Sequence, residues 1–243
     1  MLSYGWIGAR ALLAVLGCAL LASCSTTKIL QNQLDAARLA EAPACTTDYR
    51  QTVRVSVVDS IGMGIFPQPL AYKAKRKVLP LLIYFNTEKQ DLLYLGRTNL
   101  TPNLAGNLAC HVQAALEASN LHNQLGPGEL TVILDSVSAR LPYYEEAHHV
   151  FVVYTTVSWA EVQIGPARVR CRARYIFKPD GPCPTLIGSV RHEDLLPAQE
   201  GTIWDGPRSL AKGYLPQVLL TLDNSFYTMA QSMASLLSKQ APK

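Results

Sequence analysis

Apolar residues recur at two periods along this chain, and the switches between them mark out its elements. At period two, Val53, Val55 and Val57 predict a strand over 52–59, and Leu130, Val132 and Leu134 predict another. Between them, 78–85 and 91–95 read as a hairpin that turns through the polar stretch 86–90, with Pro80 pushing its first strand towards a sheet edge. A helix is predicted over 101–119, with Thr101 as N-cap, Pro102 at the first helical position, and Leu104, Leu108, Val112, Ala115 and Leu116 on one stripe. Leu215, Val218, Leu219, Leu222, Phe226, Met229, Met233, Leu236 and Leu237 predict a second long helix over 207–239. Pro216 implies either a kink in that helix or a start at that point.

Residues 129–192 read as an antiparallel meander. A β-branched and aromatic strand over 149–163 meets Gly165-Pro166 as a tight turn, a strand over 167–177 returns, and 178–181 turns into a last strand over 185–192. Pairing Ile164 with Ala167, and Phe177 with Pro182, puts small and apolar residues on one face, as period-two geometry demands of a core side. This register sets Ala160, Cys171 and Gly188 in one row, so Cys171 is expected buried and unpaired under a closely approaching helix. Together the elements predict an α+β domain over 49–243: an antiparallel meander sheet with two helices packed on one face.

The first residues follow neither period. Arg10 precedes an unbroken apolar run, Ala11 to Leu21, which ends in Ala22, Ser23 and Cys24. A transmembrane helix needs roughly twenty apolar residues, so the shorter run reads as the core of an export signal over 1–23. Leu21-Ala22-Ser23-Cys24 resembles the lipobox of bacterial lipoproteins. The resemblance implies lipid on Cys24, which becomes the first mature residue. Residues 24–48 read as a tether, with a short helix over 27–40 that has Ile29, Leu30 and Leu34 on one side and is broken by Ala42-Pro43. Two or more acyl chains would hold the protein stably in a bilayer. Ser25, rather than Asp, after the lipidated residue resembles lipoproteins delivered to the outer membrane, which would place the domain on its periplasmic face.

Composition narrows the function classes. Arg10 leaves with the signal, so 22 basic residues become 21 against 18 acidic ones. So mild a balance does not point to nucleic acid. Cys45, Cys110, Cys171 and Cys183 remain besides Cys24, with no C-x-x-C spacing for a zinc or thioredoxin motif. Cys110 falls on the polar side of its helix, and an oxidising compartment disfavours an exposed thiol. It is expected to pair with Cys45 or Cys183.

The stretch 61–67 carries two glycines without the rest of a dinucleotide fingerprint and reads as a turn. There is no G-x-S-x-G, H-E-x-x-H or P-loop, so no catalytic residue or cofactor is assigned. Glu145, Glu146, His148 and His149 form the densest group of metal-ligand types, but they fall in an expected loop, and neighbouring histidines on a strand would point apart. No metal is assigned.

Arg168, Arg170, Arg172 and Arg174 project from one strand face over roughly 20 Å. The expected register sets Glu161 beside Arg170 and Trp159 beside Arg172. Such a row reads as a solvated face, or as a site for an anion such as lipid phosphate or a glycan carboxylate.

The lipobox and element order together resemble YajG-type lipoproteins and the auxiliary lipoproteins of envelope ABC transporters. That resemblance implies a membrane-anchored, non-catalytic accessory role in envelope transport or assembly, with another envelope protein or a lipid as partner. The alternative is a lipoprotein hydrolase whose site is assembled from distant residues.

Overall fold

A computed structural model describes residues 32–33, 53–59, 69–79, 82–95, 103–152, 155–201 and 207–241. The export signal, Cys24, Cys45, the stretch 61–67, and all of the tether except helical Asn32 and Gln33 lie outside them. The strands are β1 (Val53–Asp59), β2 (Pro69–Leu79), β3 (Leu82–Leu95), β4 (Gly128–Val152), β5 (Thr155–Ile164), β6 (Ala167–Pro179), β7 (Leu186–Leu196) and β8 (Gln199–Glu200). The helices are α1 (Leu104–Ala118), α2 (Leu121–Leu125) and α3 (Pro207–Gln240). The architecture is α+β. All eight strands form one curled sheet, antiparallel at every pairing except β1 with β4, and helices pack against it.

β4 organises the sheet. It is 25 residues long and is paired along both edges. One edge takes β1 opposite 128–134 and β3 opposite 139–152; the other takes β6 opposite 128–140 and β5 opposite 143–152. The inward residues are even-numbered at Leu130, Val132 and Leu134, then odd-numbered at Val137, Ala139, Leu141 and Tyr143. The ladder to β6 slips between Leu134 and Ser136, so Asp135 is an extra residue, and this bulge reverses which parity faces the core.

Gly165-Pro166 does not turn the chain back. β5 and β6 run one after the other along the same edge of β4, and the Gly165 N–H donates to the Pro142 carbonyl at 2.8 Å, which carries the ladder across the break. The expected pairing of these two strands with each other is therefore absent. Gly165 has φ +91°, a left-handed backbone that favours glycine, and a Cβ there would lie 2.2 Å from the Tyr214 hydroxyl oxygen. That hydroxyl, on α3, accepts from the Ala167 N–H at 2.9 Å and faces the Leu196 and Pro197 carbonyls at 3.2 and 2.9 Å.

β6 pairs with β7 through Phe177 and Leu186 rather than Pro182, a shift of four residues from the expected register. An even shift preserves faces, so Val169, Cys171, Ala173 and Val190 still point inward and are buried. The partners change, however. Cys171 sits between Val137 and His192, and Gly188 lies opposite Tyr175, whose ring occupies the space a Cβ would need. Gly188 makes room for a tyrosine, not for a helix.

Other expectations shift for similar reasons. Residues 86–90 lie inside β3, because strands on both sides continue the ladder, and β2 pairs with β3 from Leu79 opposite Leu82 onward; Pro80 lies outside the described residues. Residues 145–149 belong to β4, and the strand expected over 149–163 is divided between β4 and β5. Thr101 and Pro102 lie outside the described residues, and the N-cap is Asn103, whose side chain accepts from the Gly106 N–H at 2.8 Å. The buried residues of α1 are the expected five. α3 is helical on both sides of Pro216, where burial of Leu210, Ala211, Tyr214, Leu215, Val218 and Leu219 outweighs the backbone bond that proline cannot make.

The helices cover only part of the sheet. α1 packs on β1 and α3, and α3 packs mainly on β6 and β7. The core stops near Leu95, Tyr143 and Val162. Beyond it β2, β3, the second half of β4 and most of β5 form an arm. Among its described side chains further out, only Asn86 is buried.

Candidate functional site

The arginine row does face outward from β6, but its neighbours are not the expected ones. Glu161 lies in the arm opposite Glu146, and Trp159 lies opposite His148, so neither meets an arginine. Arg170 instead donates to Glu193 on β7, from Nε to Oε2 at 2.8 Å and from Nη2 to Oε1 at 3.3 Å. Arg168 shares that carboxylate at 3.2 Å. Arg174 grips Asp135, the bulged residue, through Nε and Nη2 at 2.7–3.0 Å. The Arg170 hydrogen bond, with the charges of Arg170, Arg168 and Arg140 adding to it, holds Glu193 below the usual carboxylate range.

Two carboxylates thus serve three of the four arginines. Arg172 differs. It faces Ser136 on one side and Arg191 on the other, and neither Arg172 nor Arg191 has an ion pair among the described residues. The two line a shallow recess with Ser189 and Val190. The arginines of this face left without an ion pair among the described residues are these two.

Cysteine chemistry is settled in part. Cys110 is disulfide-bonded, with its partner outside the described residues. Cys183 is free and exposed, which excludes it as that partner; Cys45 lies outside the described residues. Cys171 is free and buried, and desolvation pushes its thiol up to about 12, so it carries almost no thiolate at neutral pH.

The densest constellation of polar groups lies on the arm, where the same parity that points Arg140 outward also aligns Tyr144, Glu146 and His148. Cross-strand register brings Asn86 opposite His148 from β3, and Trp159 and Glu161 opposite His148 and Glu146 from β5. The Tyr84 hydroxyl lies 2.5 Å from His148 Nδ1. Trp159 stacks on the imidazole, with centroids 5.0 Å apart and planes at 17°. Asn86 Nδ2 donates to Glu146 Oε1 at 2.5 Å, and the Tyr144 hydroxyl donates to Oε2 at 2.8 Å. Burial first, then the bond to Glu146 and the charges of Glu146, Glu88 and Glu161, pushes the Tyr144 phenol up to about 12.

Sequence reading singled out Glu146 and His148 but placed them in a loop, and it missed Tyr84, Asn86, Trp159 and Glu161 as their company. The available signal was the spacing of Tyr144, Glu146 and His148, every second residue, which belongs to a strand. His149 points to the opposite face, where its Nδ1 meets the Ser158 hydroxyl at 2.8 Å. Burial, then the neighbouring His148, lowers its pKa and favours the neutral ring. His111 is held by Asp223 at 2.8 Å, edge-on to Tyr227.

The far end of the arm is apolar. Ile83, Phe151, Val152 and Val157 are exposed, and the register brings the strand ends at Leu79, Leu82, Val152 and Thr155 side by side there. The outer edge of β5 has no second strand partner from Thr155 to Glu161 among the described residues; β8 pairs with Gln163 and Ile164, and the Gly201 N–H donates to the Val162 carbonyl at 2.8 Å. No described helix is long and apolar enough to cross a membrane. No protein-family model, curated protein or solved structure matches the chain.

Proposed function

We propose that this chain is a lipoprotein anchored through Cys24, facing the periplasm at the outer membrane, with a non-catalytic accessory role in envelope transport or assembly. It acts by docking a partner protein on its arm. The observation that carries the docking is the end of the arm, where exposed Ile83, Phe151, Val152 and Val157 lie next to the open edge of β5. The edge from Thr155 to Glu161, whose one charged residue is Glu161, is an open template, because natural edges are otherwise blunted by charge, proline or a covering element. An extended segment of a partner would add to β5 through main-chain hydrogen bonds, with the apolar end taking its side chains. Phe151→Asp combined with Val157→Lys is expected to abolish crosslinking of the protein to a partner in intact cells while leaving the circular dichroism spectrum intact. An undiminished crosslink in that variant would reject the docking. Cys24→Ser is expected to release the protein from the membrane fraction, and continued sedimentation with membranes would reject the anchor.

A lipid partner would be met by Arg172 and Arg191 instead, and it requires that replacing both with Gln weaken binding to anionic vesicles. The hydrolase reading rests on Ser158 and His149, a hydroxyl and a neutral-favouring imidazole at 2.8 Å. That pair lies exposed on the open arm, where water screens any developing charge. Docking predicts no labelling of Ser158 by a serine-directed fluorophosphonate; stoichiometric labelling would favour the hydrolase.

A further inference from the structure

We infer that Glu146, His148 and Glu161 form a site for one divalent transition-metal ion of the zinc type. Each offers a ligand atom, and the three atoms lie within 4.8 Å of one another. Zinc holds imidazole nitrogen and carboxylate oxygen at about 2.0–2.2 Å, so its donors stand roughly 3.3 Å apart in a tetrahedron. His148 Nε2 and Glu146 Oε1 are already at 3.7 Å. Small side-chain rotations suffice.

The surrounding groups are those that a ligating histidine and carboxylate need. With the proton on Nδ1, donated to the Tyr84 oxygen, His148 presents its Nε2 lone pair to the cluster. That Nε2 is buried and has no hydrogen-bond partner. Trp159 and Tyr84 stack on the ring and fix its orientation. Glu146 is held through both oxygens, by Asn86 and by Tyr144. Asn86 itself is only 8% exposed, and its Oδ1 is likewise buried without a partner. Buried polar atoms left unsatisfied are uncommon and call for an explanation. Here two of them fall in one cluster, beside a pair of carboxylates.

Electrostatics point the same way. Glu146 faces Glu161 directly across β4 and β5, and Glu88 faces Glu146 across β3 and β4. Carboxylates on adjacent strands repel, and a bound cation turns that repulsion into attraction. One nitrogen and two oxygens suit zinc or a neighbouring divalent transition metal. Calcium would require six to eight oxygens. The ion would tie β4 to β5 within the arm, which the helices do not brace.

The test is a calorimetric titration of the chelator-treated full mature chain with zinc. One ion per chain is expected, and Glu161→Gln and His148→Asn should each weaken it at least about tenfold. Glu161 is exposed, so its variant tests the site even if His148→Asn fails to fold. Copper(II) should quench tryptophan fluorescence in the parent protein, through Trp159 on the ligating ring, and quench it less in Glu161→Gln. Absence of zinc binding, or binding that survives Glu161→Gln unchanged, overturns the site and shows the cluster to be a hydrogen-bonded network only.

Discussion

Single side chains carry several of the consequences. The Tyr214 hydroxyl satisfies the buried Ala167 N–H just where β6 resumes the ladder after Gly165-Pro166. Tyr214→Phe leaves that donor buried and unpaired, so urea denaturation should show a loss of about 1–3 kcal/mol. An unchanged midpoint would mean that the break is held in some other way. The two free thiols should separate cleanly. Iodoacetamide at mildly alkaline pH is expected to modify exposed Cys183 rapidly and to reach Cys171, whose thiol burial holds at about 12, only after denaturation. Equal labelling of both by peptide mass spectrometry would contradict the packing around Cys171. Nothing in local sequence marks Tyr214 for its role; it reads as one more member of a helical stripe, and only the fold brings it to the ladder.

At the scale of elements, periodicity was legible and partnership was not. The five buried residues of α1 and the inward parity of β6 follow from spacing alone, because a helix or strand presents its faces by geometry. The partners of β6 depend on what Gly165-Pro166 does. A glycine-proline pair between two strands signals a hairpin, yet Gly165 bonds to Pro142 and the chain runs on. This one difference removes Glu161 from Arg170 and puts Ser138 of β4 on that side, while the four-residue shift of β7 brings Glu193 to its other side. The arm cluster was hidden for the same reason, since its members come from three strands. The Glu193 pairing has a pH signature. The Arg170 hydrogen bond depresses the folded-state pKa of Glu193, so the stabilisation is present above the ordinary carboxylate range and is lost as pH falls through the depressed value. Glu193→Gln is therefore expected to unfold at lower urea than the parent at neutral pH and at the same urea in strong acid. A difference that persisted in acid would contradict the pairing.

The whole molecule divides its labour along β4. Its first half, with β1, β6, β7, α1 and α3, buries the core; its second half, with β2, β3 and β5, projects beyond the helices and is apolar at its end. Bilayer attachment through Cys24 would leave such an arm free to reach a second component of the envelope. The most direct measurement is site-specific photocrosslinking in intact cells. A crosslinker at position 151 or 157 is compared with one at position 220, another exposed apolar site, on α3. Docking on the arm predicts a discrete adduct from 151 and 157, none from 220, and loss of the 151 adduct when Val157→Lys is added. Adducts confined to position 220, or an arm that yields none, would contradict it.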